Sequence, residues 1–207
     1  MNKLYKLILL IPILLVGCKT SRINHNKISQ RIDSLNMNIY SNEGDKLYKI
    51  NSPYSYYDRN NNIFKLKETT IHLFKKNNIE YIIKSDKSKL SNNNNLLELN
   101  GNVKLKTVLQ EDDKISGNKF TWDINNTYYI LTGNVKFENK KIFISSEKAI
   151  LNNENKLEFF NPVKYIIKDN NNQKSYEVNS ENAYYDINTK TLNFESNEKR
   201  VRSKLYF

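Results

Sequence analysis

Apolar and polar residues alternate along most of this chain. Stretches such as Leu97-Glu98-Leu99, Val103-Lys104-Leu105, Tyr129-Ile130-Leu131 and Val135-Lys136-Phe137 put every second side chain on one greasy face. That period of two is the period of a half-buried β-strand, and no window carries a helical period. Asn-rich clusters break the alternation at Asn60-Asn61-Asn62, Asn77-Asn78, Asn92 to Asn95, Asn125-Asn126, Asn152-Asn153 and Asn170 to Asn172. Asparagine tolerates the left-handed backbone of tight turns, so these clusters predict hairpin turns between strands.

The pattern also repeats. Leu99-Asn100-Gly101-Asn102-Val103-Lys104-Leu105 returns as Leu131-Thr132-Gly133-Asn134-Val135-Lys136-Phe137, and more weakly as Phe159-Phe160-Asn161-Pro162-Val163-Lys164-Tyr165. A second phrase, Ser-x-x-(Ala/Ser)-x-(apolar), occurs at Ser52/Ser55/Tyr57, Ser85/Ser88/Leu90, Ser146/Ala149/Leu151 and Ser180/Ala183/Tyr185, with a degenerate copy at Ser116/Lys119. The two phrases run in phase and predict five units over about residues 47 to 196. Their spacing of about 30 residues leaves room for about three ordinary strands each. Stacked units would align the apolar positions into one wall, with Lys104, Lys136 and Lys164 pointing away. Gly101 and Gly133 fall within that wall. Either they curve the sheet or they leave a gap for a ligand, and curvature is the favoured role.

Composition narrows the architecture. Only 38% of the 207 residues are hydrophobic, yet there are 14 Tyr and 9 Phe, which a disordered polar chain would lack. A single curved antiparallel sheet with one apolar face needs little apolar content and fits both facts. The formal net charge of +11 favours anionic partners. The basic residues are spread over outward strand positions rather than gathered in a run, which speaks against nucleic acid.

The N-terminus reads as a targeting segment. Lys3 and Lys6 precede an apolar stretch, Leu7 to Val16, too short to span a bilayer. It ends in Leu15-Val16-Gly17-Cys18, which matches a bacterial lipobox. Residues 1–17 are therefore expected to be a lipoprotein signal peptide, Cys18 the lipidated residue, 18–31 a polar tether and 32–207 the folded domain. The lone cysteine has no partner for an internal disulfide, and lipidation accounts for it.

No catalytic constellation stands out. His25 and His72 are far apart, with no Cys or carboxylate at ligand spacing. Glu111-Asp112-Asp113 matches no metal loop and reads as a solvated turn. There is no nucleophile elbow and no phosphate-cradling glycine loop. The expectation is a chain without catalytic residues, metal or cofactor.

Across about residues 32 to 196 the sequence resembles the LptC and LptA proteins of lipopolysaccharide export. Met37-Asn38-Ile39-Tyr40, Asn42-Glu43-Gly44 and Leu47-Tyr48-Lys49-Ile50 look like an LptC opening. Ile82 to Leu90, running into Leu97 to Val103, looks like the family's central block, and Gly101 and Gly133 match the glycines of its L-x-G-x-V phrase. Most LptC proteins carry a transmembrane helix where this chain has a lipobox. The resemblance implies an all-β fold, a twisted antiparallel β-jellyroll or half-open barrel. It implies an apolar interior for lipid A acyl chains, lined here by Leu97, Leu99, Val103, Phe120, Trp122, Leu131, Val135, Phe137 and Phe159, with Gly101 and Gly133 shaping it. It also implies partners: lipopolysaccharide, an LptB/LptF/LptG-type ABC transporter, and an LptA-like periplasmic protein bound by edge-strand pairing. The C-terminal edge near Ala183 to Phe194 is the expected donor, with Glu198 to Arg202 as a charged stop behind it. The expected place is the periplasmic face of the envelope, lipid-anchored, on the inner membrane by family and with the outer membrane open. The competing reading is an outer-membrane lipoprotein with a structural or polysaccharide-binding β-repeat domain.

Overall fold

The computed structural model describes residues 29–91, 95–108, 112–124, 128–152, 154–169, 171 and 173–206. Among them there is no helix, and the chain runs as twelve strands. These are β1 (Ser29–Tyr40), β2 (Lys46–Asp58), β3 (Ile63–Lys75), β4 (Asn78–Ser91), β5 (Leu96–Thr107), β6 (Lys114–Asp123), β7 (Tyr128–Glu138), β8 (Ile142–Asn152), β9 (Lys156–Lys168), β10 (Lys174–Asp186), β11 (Leu192–Glu195) and β12 (Arg202–Leu205). β1 to β11 pair in chain order in one antiparallel sheet that does not close. The all-β fold expected from the alternation is the fold observed.

Each repeat is a hairpin of two long strands, not three short ones. β2 to β10 run 10 to 14 residues, about twice the usual 5–6. They stay continuous because bulges near the middle of β4 to β10 bend the strands where the sequence alone suggests a break. Register shifts fall between Asn100 and Val103 on β5, between Thr132 and Val135 on β7, and between Ser180 and Asn182 on β10. The bulged residues are the repeated phrases: Gly101-Asn102 (φ 77° and 46°), Gly133-Asn134 (74° and 52°) and Asn161-Pro162, joined by a cis peptide bond. Glu68 on β3 and Ser34 on β1 continue the line with φ of 50° and 57°. A bulge bends its strand and increases the local twist, so a line of them across the sheet is a crease.

The sheet rolls so that its apolar face packs on itself. Tyr48 on β2 meets Trp122 on β6 edge to face at 5.1 Å, and Phe137 on β7 meets Tyr185 on β10 at 4.9 Å. Polar ties join the same ends. Tyr81 Oη donates to Asn155 Oδ1 at 2.6 Å, and Lys190 Nζ lies 2.9 Å from Asp113. Asp113 is thereby almost fully buried, contrary to its reading as part of a solvated turn. Its sequence neighbourhood is acidic and polar; Asn139 reaches it from the paired end of β7, and the roll brings Lys190.

Turns follow the expected chemistry, with an added device. Lys76 and Asn77 both take positive φ between β3 and β4, the two-residue turn that matches strand twist. Elsewhere an Asx side chain accepts backbone N–H groups. Asn139 Oδ1 takes those of Lys141 and Ile142, and Asp186 Oδ1 those of Asn188 and Thr189. The turn expected at Asn125-Asn126, and parts of those expected at Asn92 to Asn95, Asn152-Asn153 and Asn170 to Asn172, lie outside the described residues.

Candidate functional site

The residues expected to line an apolar interior come together. Leu97, Leu99, Val103, Phe120, Leu131, Val135, Phe137 and Phe159 are fully buried, Trp122 nearly so, and all belong to one core that runs from Tyr48 to Ile187. Cross-strand register explains why. One inward row reads Ser55, Leu66, Ser88, Leu99, Phe120, Leu131, Ala149, Phe159, Ala183, Phe194 from β2 to β11. Small residues from the Ser-x-x-(Ala/Ser) phrase sit on the even strands and large ones on the odd strands. Alternating sizes let the facing layer interdigitate with the wall. Phe120 alone breaks the alternation, and its ring stacks on Tyr129 at 5.8 Å, beside the Tyr48–Trp122 contact. A parallel row reads Leu97, Trp122, Tyr129, Leu151, Leu157, Tyr185.

The first serine of that phrase serves the crease. Ser85, Ser146 and Ser180 donate to the carbonyls of Lys87, Lys148 and Asn182, each two residues on, at 3.2, 2.9 and 2.8 Å. Ser52 Oγ lies 2.8 Å from the Tyr54 carbonyl and 2.7 Å from that of Lys67. These hydroxyls satisfy backbone groups that a bulge takes out of the ladder. On β6 the phrase is phased one residue later than the Ser116/Lys119 reading. Gly117 stands opposite Val103, and Phe120 opposite Leu99 and Leu131. The apolar register there is the stronger guide, and the serine at 116 is a coincidence of composition.

Gly101 and Gly133 sit at the crease itself. A Cβ on Gly101 would stand 2.7 Å from Asp86 Oδ2, and one on Gly133 3.0 Å from Asn118 Nδ2. Asp86 also accepts from Asn102 at 2.8 Å, so the neighbouring strand fills the space the glycine leaves.

Beyond Phe194 the chain does not stop. It loops past Glu181 and returns as β12, which pairs Tyr176 to Asn179 of β10. Glu181 anchors the loop. Its carboxylate accepts the N–H groups of Asn197, Glu198 and Lys199, which hold its pKa below the usual carboxylate range, and its own N–H donates to Ser196. The outer edges of the sheet are therefore β1 on one side and the split pair β11/β12 on the other. Ala183, expected at an edge, is covered by Phe194.

Other candidates are isolated. His72 faces outward on β3, opposite Lys49 and Ile82, and its pKa is pushed down by burial and then by Lys49, Lys46 and Lys84. Among the described residues no group of three or more His, Cys, Asp or Glu is placed to hold a metal. No helix there is long and apolar enough to cross a membrane, which says nothing of strands. Cys18, His25 and Glu111 lie outside the described residues.

A family model described as lipopolysaccharide-assembly, LptC-related, matches residues 15–149, more than half of the chain. The chain belongs to the LptC-related family. The match begins at Leu15 of the lipobox-like phrase and ends at Ala149 on β8, so β9 to β12 lie beyond it while continuing the same rows. Among solved structures, the chain is similar to LptH, the LptA-homologous periplasmic component of the lipopolysaccharide transport device of Pseudomonas aeruginosa. The identity is 15% and the TM-score 0.49, over 61% of this chain and 94% of that one. No curated protein matches.

Proposed function

We propose that this LptC-related protein is a lipid-anchored periplasmic carrier that receives lipid A acyl chains from an LptB/LptF/LptG-type transporter and passes them to an LptA-like bridge. The observation that carries this reading is the unbroken inward row from Leu66 to Phe194, apolar or small on every strand, inside a sheet that rolls without closing. Each buried CH₂ is worth ~0.8 kcal/mol, so a chain of about a dozen carbons gains on the order of 10 kcal/mol in any dry environment. Moving it from membrane to interior, or from one such interior to the next, is then nearly neutral. The protein supplies a dry path, and direction comes from ATP hydrolysis in the transporter.

Side chains fill the interior, so loading means parting the two layers. Those layers meet through packed rings and a few polar ties at their ends, not through a backbone ladder, and they can separate without breaking strand pairing. The creased strands, with Gly101 and Gly133 at the bend, give the sheet its roll. Hand-over would use an outer edge, β1 or β11/β12, by strand addition. Cys18 would carry the acyl anchor, residues 1–17 being removed, with a short tether leading into β1.

Photo-crosslinking in gently solubilised membranes tests the carrier reading. Probes at Leu99, Leu131 and Phe159 should label lipopolysaccharide, and probes at the outward Lys67 and Lys136 should not. Labelling from the lysine face alone would reverse the assignment of faces. Labelled palmitate should enter the wild-type chain and not Cys18→Ser. Equal incorporation would remove the anchor from the proposal.

A further inference from the structure

The outer face of the sheet carries an arrangement that folding alone does not favour. Lysines stand directly opposite lysines in register: Lys65 with Lys89, Lys67 with Lys87, Lys84 with Lys104 and Lys106 with Lys114. Like charges across a strand pair are destabilising. Two of these pairs, Lys84/Lys104 and Lys106/Lys114, share one concavity of about 610 Å³ over β4, β5 and β6. Its wall also holds Ile82, Ser116 and one carboxylate, Glu138. All four lysines are exposed, and among the described residues none of them makes an ion pair. By contrast, Lys89, in the pair outside the cleft, reaches Glu98 at 3.4 Å. The larger concavity, about 820 Å³ over β7 to β10, is also basic, but it includes Glu147 and Glu181, and its Lys164 is tied to Glu177 at 3.3 Å. What sets the β4–β6 cleft apart is that its lysines stand in register against one another.

We propose that the cleft between Lys84, Lys104, Lys106 and Lys114 is a phosphate-binding site, taking a phosphomonoester or diphosphate group borne on a lipid headgroup or free in solution. Four lysines line one concavity in two like-charge pairs, and a doubly charged anion there would relieve both pairs at once. Ser116 adds a hydroxyl, and half-buried Ile82 offers apolar contact to whatever carries the phosphate. The site lies on the opposite face from the apolar interior, so it stands or falls apart from the acyl-carrier reading.

The test uses the full chain in nonionic detergent micelles, titrated with inorganic pyrophosphate in one arm and with micelles doped with phosphatidic acid in the other. Saturable binding is expected, weakened about tenfold in Lys104→Gln/Lys106→Gln, in line with modest exposed pairs summed over two lysines. Lys65→Gln/Lys67→Gln, which removes the same charge outside the cleft, should bind as the parent does. Without ligand, the cleft variant should unfold at the same or higher urea concentration than the parent, because repulsion is relieved. A response to pyrophosphate alone assigns the site to soluble phosphates, and a response to phosphatidic acid alone assigns it to a headgroup. Absence of saturable binding in both arms overturns the proposal, as does equal weakening in the two double variants.

Discussion

At the scale of single residues, the three described glycines at the crease are not equivalent. Gly101 and Gly133 have φ of 77° and 74° and neighbours within 3.0 Å of a built Cβ, whereas Gly117 has ordinary φ and its nearest neighbour at 3.5 Å. A Cβ in the left-handed region costs roughly 1–2 kcal/mol. Gly101→Ala should therefore lose about 1–2 kcal/mol in urea unfolding, with Asp86 forced aside. Gly117→Ala should be neutral or gain about 0.4–1 kcal/mol by restricting the unfolded chain, since it restores the small side chain that Ser85 and Ser146 supply in other units. If both substitutions cost the same, the crease is not what requires Gly101. The repeated phrase was legible in the sequence as recurrence. Its backbone role was not, because Gly-Asn within an alternating run reads equally as a bend, a turn or a gap.

At the scale of elements, the C-terminal edge depends on one carboxylate. Glu177 on β10 is enclosed by Asn179 at 3.1 Å, by Lys174 and Lys164 at 3.3 Å each, and by the Tyr206 hydroxyl at 3.4 Å. The Asn179 hydrogen bond leads in holding its pKa down to about 2, against the burial that opposes it, with the two lysines adding to the effect. A folded-state pKa below the ordinary 4.5 means that the stabilisation is complete above about pH 4.5 and is lost as pH falls towards 2. Glu177→Gln should flatten the acid limb of a stability–pH curve in that window and leave smaller slopes from Glu181 and Asp186, which backbone N–H groups hold low. An unchanged limb, followed by circular dichroism, would remove Glu177 from the account of this edge. Strand periodicity made β2 to β10 legible, and the alternation even located the small and large slots. The return of β12 was not legible. Glu198 to Arg202 has the composition of a terminus, and its tie to β10 is made by backbone pairing and by Glu177 and Glu181, groups distant in sequence.

At the scale of the whole molecule, the roll turns a one-faced sheet into a closed core, and no local pattern encodes which strands will face each other. Tyr48 and Trp122 are unremarkable members of two alternating runs until the crease places them edge to face. That contact lies where the layers meet, and Trp122 is the only tryptophan in the chain. Parting the layers to admit an acyl chain must change its surroundings, since the ring is now nearly buried against Tyr48 and Tyr129. Titration of lipopolysaccharide into the full chain should therefore shift or quench tryptophan emission in a saturable way. The lipid-free saccharide, which has no acyl chain to bury, should leave the emission unchanged. Trp122→Phe should abolish the signal while keeping lipid crosslinks at Leu131, which separates a reporter from a binding determinant. Lipopolysaccharide that binds with the Trp122 emission unmoved would have to sit outside the core. The interior row would then be a structural seam, and the carrier path would need to run along an outer face of the sheet.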